Sequence, residues 1–241
     1  MTYRNIQLLT LDHPEYVAYC RRMAELHPSR GGPRAAGEYL GGLVERAVRH
    51  WLSGYVPLME ERILSWEQRL RNGRYGTLYR ELDGIWQIDD ESLCLYEMKL
   101  TFPENMERGV GLRQLEASTE LLVASGKYKY ILQRLVYVSA EPVQVLEEDL
   151  PSLPPDEEYA ELGVIWVPPD AVEAAAKELE IELPEDWLTP ESREGFVEDP
   201  AREAWKEFAD TEAREAQAGE EPAEETPNNP LAEALRRALG E

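Results

Sequence analysis

Apolar positions along the chain change their period several times. Over residues 35–52, Leu40, Leu43/Val44, Ala47/Val48 and Trp51/Leu52 recur every three to four positions, the spacing of one helix face. Residues 15–26 read as a shorter helix beginning near Asp12 or Pro14. Residues 28–33 (PSRGGP) have the composition of a loop. A further helix is expected over 58–70, ended by Asn72 and Gly73. The texture then turns to β-branched, aromatic and leucine residues over 78–88 and 93–102. Asp89, Asp90, Glu91 and Ser92 lie between these runs, a hairpin pattern. A helix over 107–124, a strand over 130–139, a strand over 164–167 and a helix over 170–180 complete the series, a mixed α/β order.

Past residue 183 the pattern thins. Residues 209–229 are acidic, rich in Ala and Pro and almost free of large apolar groups, which predicts disorder. The last stretch, 229–240, has Asn229 as N-cap, Pro230 in the first turn, Gly240 past the end and Leu231, Leu235 and Leu239 on one face. So short a helix is marginal alone, so it needs a surface, either on its own domain or on a protein partner. The expected divisions are therefore an N-terminal helix and loop (1–34), a core (35–182), an acidic and largely disordered extension (183–228) and a short amphipathic helix (229–241).

Charge sharpens this division. Residues 1–140 hold 18 Lys+Arg and 18 Asp+Glu, whereas 141–241 hold 7 and 30, so the second stretch carries the whole formal charge of −23. Such an acidic stretch can repel or mimic a polyanion while the balanced domain remains free to bind one. No apolar run approaches the ~18 residues of a membrane span, and the N-terminus has no secretory pattern. Two cysteines, Cys20 and Cys94, are too few for a disulfide framework or a four-thiolate metal site. The expectation is a cytoplasmic protein with no membrane partner.

The chemistry concentrates around the hairpin. One face of its second strand carries Cys94, Tyr96, Met98 and Leu100; the other carries Leu93 and Leu95, then Glu97 and Lys99. A strand apolar on both faces is ordinarily buried, where two charges are costly unless paired or bound to an ion. A turn at 89–92 places Asp83 opposite Glu97 or one residue away, and an odd-length turn such as 89–91 puts both carboxylates on one face. Paired carboxylates repel unless a cation lies between them, and oxygen ligands suit Mg²⁺ or Mn²⁺. Among twenty arginines and only five lysines, Lys99 stands two residues from Glu97. A compact ammonium there suits orienting a metal-bound water or neutralising phosphate charge.

An Asp on one strand followed by Glu-x-Lys on the next resembles the PD-(D/E)xK nuclease superfamily. Glu97-Met98-Lys99 matches the (D/E)xK half, and Glu81-Leu82-Asp83-Gly84 resembles the first-strand half seen in RecB-like branches, with Leu82 where the name-giving proline would stand. The resemblance covers roughly residues 35–140. It implies a restriction-endonuclease-like core of α-β-β-β-α-β order and metal-dependent hydrolysis of phosphodiesters, with DNA favoured over RNA. It implies that Asp83, Glu97 and a helix glutamate, Glu45 or Glu38, hold Mg²⁺ (or Mn²⁺), with the Met98 carbonyl as a further ligand. Lys99 would position the water and Gln114 would orient water or phosphate, although Ser118 stands where the family usually has Tyr. Arg30, Arg34, Arg108 and Arg113 are the expected phosphate contacts.

Plainer readings stand beside these. Asp83, Glu97 and Lys99 also suit a cross-strand salt-bridged cluster, and Glu45 suits an i, i+4 pair with Arg49. His50 reads as a helix-face residue and the cysteines as small buried groups. Two other functions compete with the nuclease: a catalytically silent interaction subunit working through the acidic tail and terminal helix, and a metal-dependent hydrolase of small nucleotides.

Overall fold

The computed structural model describes residues 3–26, 34–71, 73–100, 108–140 and 160–197. The expected disorder over 209–229 and the helix over 229–240 fall outside these residues. In chain order the elements are β1 (Arg4–Leu9), α1 (Pro14–Leu26), β2 (Arg34–Ala35), α2 (Ala36–Ser53), β3 (Ile63–Arg69), β4 (Tyr75–Glu81), β5 (Gly84–Gln87) and β6 (Ser92–Leu100). There follow α3 (Arg108–Ala124), β7 (Tyr130–Val138), β8 (Ala160–Val167), α4 (Pro169–Glu178), a 3₁₀ turn (Glu191–Arg193) and β9 (Phe196–Val197). The protein is mixed α/β, with an antiparallel sheet and a mixed sheet flanked by helices.

The mixed sheet has the order β5-β6-β7-β8; β5 runs antiparallel to β6, while β6, β7 and β8 are parallel. Both faces of its centre are covered, which is why its strands read as continuous apolar runs. On one face Cys94, Tyr96, Met98, Val136, Val138 and Val167 pack against Leu40, Val44, Ala47 and Val48 of α2 and Val172, Ala175 and Ala176 of α4. On the other, Leu93, Leu95, Ile131 and Leu135 meet Leu115, Leu121 and Leu122 of α3, together with Leu64 and Trp66 of β3.

The helix expected over 58–70 is a strand in the structure. Its apolar positions sit at helical spacing by coincidence, because β3 is buried on both sides. Leu64 and Trp66 join the α3 side, while Ile63 packs with Leu9 and Leu11, against which Tyr16 of α1 and Tyr79 also rest. Burial of both faces erases the period-2 signal that marks an ordinary strand. The Gly73 read as a helix end instead lies in the β3–β4 hairpin turn with φ +81°, closed by the Leu70 N–H to the Arg74 carbonyl at 2.7 Å. β1, for which the sequence pattern offered no expectation, is a mostly exposed edge strand on β3.

The first strand of the expected hairpin is two strands. β4 pairs with β3 through Ile63↔Glu81, then the chain leaves that sheet and, from Gly84, pairs with Tyr96 of β6. Leu82 and Asp83 are the crossing point between the sheets.

Residues 183–197, expected in the acidic extension, pack on the core. Trp187 is only 3% exposed and its indole N–H donates to Glu173 Oε1 of α4 at 3.1 Å. β9 pairs antiparallel with β2, Ala36 N–H donates to the Gly195 carbonyl at 3.0 Å, and Arg193 Nη2 donates to the Leu100 carbonyl at 3.0 Å. This segment therefore clasps the start of α2 and the end of β6. Among the described residues no helix is long and apolar enough to cross a membrane.

Replacing Trp187 with Ala should empty a large buried volume and cost about 3–5 kcal/mol, read as a lowered midpoint in urea unfolding. A loss below about 1 kcal/mol would show that the segment merely lies on the surface.

Candidate functional site

Asp83 is fixed by the sheet crossing. In the β5–β6 ladder the next paired position would match Leu82 with Met98, but the Leu82 N–H is taken by the Arg62 carbonyl at 2.9 Å. The Asp83 side chain replaces the missing partner: its Oδ2 accepts the Met98 N–H at 2.7 Å. Arg49 of α2 secures the same bend, donating from Nη1 to the Asp83 carbonyl (3.2 Å) and from Nη2 to the Met59 carbonyl (3.0 Å). Side chain and backbone of Asp83 are thus held from three directions.

The hairpin turn fixes which carboxylate it meets. Gln87 pairs with Leu93, and the Ile88 N–H reaches the Ser92 carbonyl at 3.0 Å, leaving the three residues 89–91 as the loop. An odd loop carried back along the register sets Asp83 opposite Glu97, on the face shared by Leu93 and Leu95. Glu97 is 6% exposed and accepts from Lys99 Nζ at 2.5 Å. Above Lys99, α3 passes at Gly111, where an added Cβ would lie 2.9 Å from Leu135 Cδ2 and 3.5 Å from Lys99 Cε. The glycine lets the helix approach the lysine closely.

Glu45 of α2 joins this pair. Its charge is felt by Asp83, Glu81 and Glu97, and Arg62 Nη1 lies 4.0 Å from its Oε1. Burial first, then the Asp83, Glu81 and Glu97 charges, push the Glu45 carboxyl up to about 8, against the lowering effect of Arg62. Burial and then Asp83 push Glu97 up to about 7, opposed by Lys99. Asp83 is raised chiefly by burial, opposed by the Met98 N–H and Lys99. The cluster reaches solvent along one edge, where Glu45 keeps 33% of its side-chain surface and Glu81 and Lys99 are comparably open.

The structure separates the remaining expected residues. Glu38 is exposed in the first turn of α2, two turns from the cluster that Glu45 enters. Gln114 is on the exposed side of α3; its carbonyl accepts from Ser118 Oγ at 2.8 Å and from Arg80 Nη1 at 3.4 Å. Arg113 is exposed nearby. Arg108 opens α3 and Arg34 lies in β2 beside Val197, and only their backbones are described. Arg30 lies outside the described residues. His50 meets Glu178 of α4 at 2.8 Å, on the helix surface as expected.

Three contributors escaped the sequence reading. Arg62 is buried with Nη2 3.0 Å from Glu81 Oε1. Arg80, stacked over Trp66, donates to Ser118 Oγ at 3.1 Å and its charge reaches Glu97. Arg49 braces the bend. A charged residue entering an apolar run, as Arg62 does before Ile63, was the available signal, hidden by the assignment of that run to a helix.

Among the described residues, no three His, Cys, Asp or Glu side chains converge closely enough to hold a metal ion as they stand. Glu97 is turned to Lys99, and Glu45 and Glu81 to Arg62. The donor chemistry nevertheless fits a hard divalent cation: the ligands are carboxylates, and their raised proton affinities record a local shortage of positive charge. Compared with protein-family models, with curated proteins and with solved structures, the chain matches none.

These raised carboxyls have a signed consequence. In metal-free protein the native carboxyls keep protons that the unfolded chain, at about 4.3 for Glu, has already lost. The native state then binds more protons up to about 8, so this contribution to stability falls as pH rises from about 5 and levels off above about 8. The melting temperature of chelator-treated protein should decline across that window, and Glu45→Gln should flatten the decline. An identical slope in the variant would refute the clustering of Glu45 with Asp83.

Proposed function

We propose that the chain is a metal-dependent nuclease of the restriction-endonuclease-like type, hydrolysing phosphodiester bonds, with DNA favoured over RNA. The carrying observation is the meeting of Asp83, Glu97 and Glu45, from a sheet crossing, a neighbouring strand and a helix, with Lys99 2.5 Å from Glu97. The succession α2, β3, β4–β5, β6, α3, β7 supports the reading, since it follows the α-β-β-β-α-β order of that core.

Asp83, Glu97 and Glu45 would hold Mg²⁺ or Mn²⁺, together with the Met98 carbonyl. The ion would make a bound water more acidic and offset charge on the phosphate. Asp83 offers its free oxygen in a fixed place, because the other is held by the Met98 N–H. Lys99, drawn by Glu97 to the solvent edge, orients the attacking water and stabilises the charge that grows on the phosphoryl oxygens as one P–O bond forms and another breaks. Arg80 and Arg113, on the side of α3, supply positive charge along the edge where a strand would lie.

A second reading, a silent interaction subunit, draws on the 30 Asp+Glu against 7 Lys+Arg in residues 141–241. Cleavage of single- and double-stranded DNA, linear and circular, with Mg²⁺, Mn²⁺ or chelator separates the two. The nuclease requires metal-dependent cutting that falls about 10²–10³-fold in both Lys99→Ala and Asp83→Asn. Absence of cutting on every substrate, with no metal bound in calorimetry, would leave the interaction reading.

The acidic region bears on the same assay. Removal of residues 198–241, which spares Trp187 and β9, should raise DNA affinity at low salt if that segment screens the site. Unchanged binding would dismiss the screening role.

A further inference from the structure

Arg62 is the charged group of the cluster that the proposed reaction leaves unused. Its side chain is 4% exposed, its Nη2 lies 3.0 Å from Glu81 and its Nη1 4.0 Å from Glu45. Its Nε is buried with no hydrogen-bond partner. Withdrawing a guanidinium from water is costly unless hydrogen bonds or negative charge replace the lost hydration. Here the hydrogen bonding is incomplete, so the surrounding carboxylates are what keep the guanidinium in place. The converse holds as well, since Arg62 is among the groups that lower the Glu45 and Asp83 carboxyls.

We infer that the site takes a single divalent cation, because the Arg62 guanidinium already supplies the further positive charge among its carboxylates. The inference rests on the metal-dependent reading above and specifies it. Among the described residues, Glu45, Glu81, Asp83 and Glu97 bring four negative charges, and Arg62 and Lys99 bring two positive ones. The remainder matches the charge of one divalent ion. Arg49 and Arg80 act from the edge, through neutral oxygens at the Asp83, Met59, Gln114 and Ser118 positions, and can only reduce the remainder. A second divalent ion would leave the interior with uncompensated positive charge beside a guanidinium that has no route to water. Arg62 also holds Glu81 to itself, keeping that carboxylate from the side where Asp83 and Glu97 face each other.

Titration of the full chain with Mn²⁺ alone, followed by calorimetry, tests this. Wild type should bind one equivalent and Arg62→Met two, with the first ion held at least roughly tenfold tighter because a nearby positive charge is gone. Arg62→Lys, which keeps the charge, should return to one equivalent. A purely structural strut would alter melting temperature without changing the ion count. Two equivalents in wild type, or one at unchanged affinity in a folded Arg62→Met, would overturn the inference while leaving the metal-dependent reading intact. No binding by wild type would overturn both. If circular dichroism shows Arg62→Met unfolded, Glu81→Gln decides. It removes one negative charge and frees Arg62, so the single ion should bind at least roughly tenfold more weakly, and unchanged affinity would refute the proposal.

Discussion

The hydrogen bond from the Met98 N–H to Asp83 Oδ2 is the contact on which the rest of the arrangement turns. A strand that changes sheets leaves backbone groups without their ladder partners, and an unpaired buried N–H costs about 1–3 kcal/mol. Here the crossing strand closes its own gap with a side chain. Leu82 stays with the sheet it is leaving, through the Arg62 carbonyl, while Asp83 reaches into the sheet that β5 is joining. An aspartate at that position is therefore both a structural plug and a presented carboxylate. The same bond draws the two sheets together around α3, whose Leu115, Leu121 and Leu122 fill the space between them.

The electrostatics follow from that geometry. Once Asp83 is plugged into β6, the register leaves Glu97 facing it, and α2 brings Glu45 to the same place. Burial of three carboxylates together is unfavourable, and two cations of different character reduce the penalty. Lys99 is half-open and flexible, suited to exchanging its partner for water or phosphate. Arg62 is enclosed and rigid, suited to holding Glu81 and Glu45 in a constant relation. The site thus has a permanent counter-ion and an adaptable one.

Much of this was legible in the sequence because it rests on local patterns. The alternation of Leu93, Leu95, Glu97 and Lys99 against Cys94, Tyr96 and Met98, and the short acidic loop after Ile88, place Glu97 and Asp83 together through register alone. The three-to-four spacing of α2 puts Glu45 on the side of Arg49, though Arg49 serves the Asp83 bend. Long-range packing accounts for what was missed. β3 is covered on both faces, so its period was hidden and Arg62 with it. The sheet change at Leu82–Asp83 leaves no mark on hydropathy, since both halves remain extended. Trp187 sits in an acidic, proline-bearing stretch whose composition resembles an exposed tail, yet one tryptophan and a few backbone bonds are enough to dock it.

The pairing of Arg34 with Val197, and of Ala35 with Phe196, ties the entrance of α2 to a segment synthesised last among the described residues. During translation the strands bearing Asp83, Glu97 and Lys99 emerge and can assemble well before that segment leaves the ribosome. The helix that carries Glu45 gains its N-terminal anchor only afterwards. The carboxylate cluster therefore reaches its final form late in biosynthesis, and a nascent chain truncated by premature termination would display the strand motif without the clasped helix.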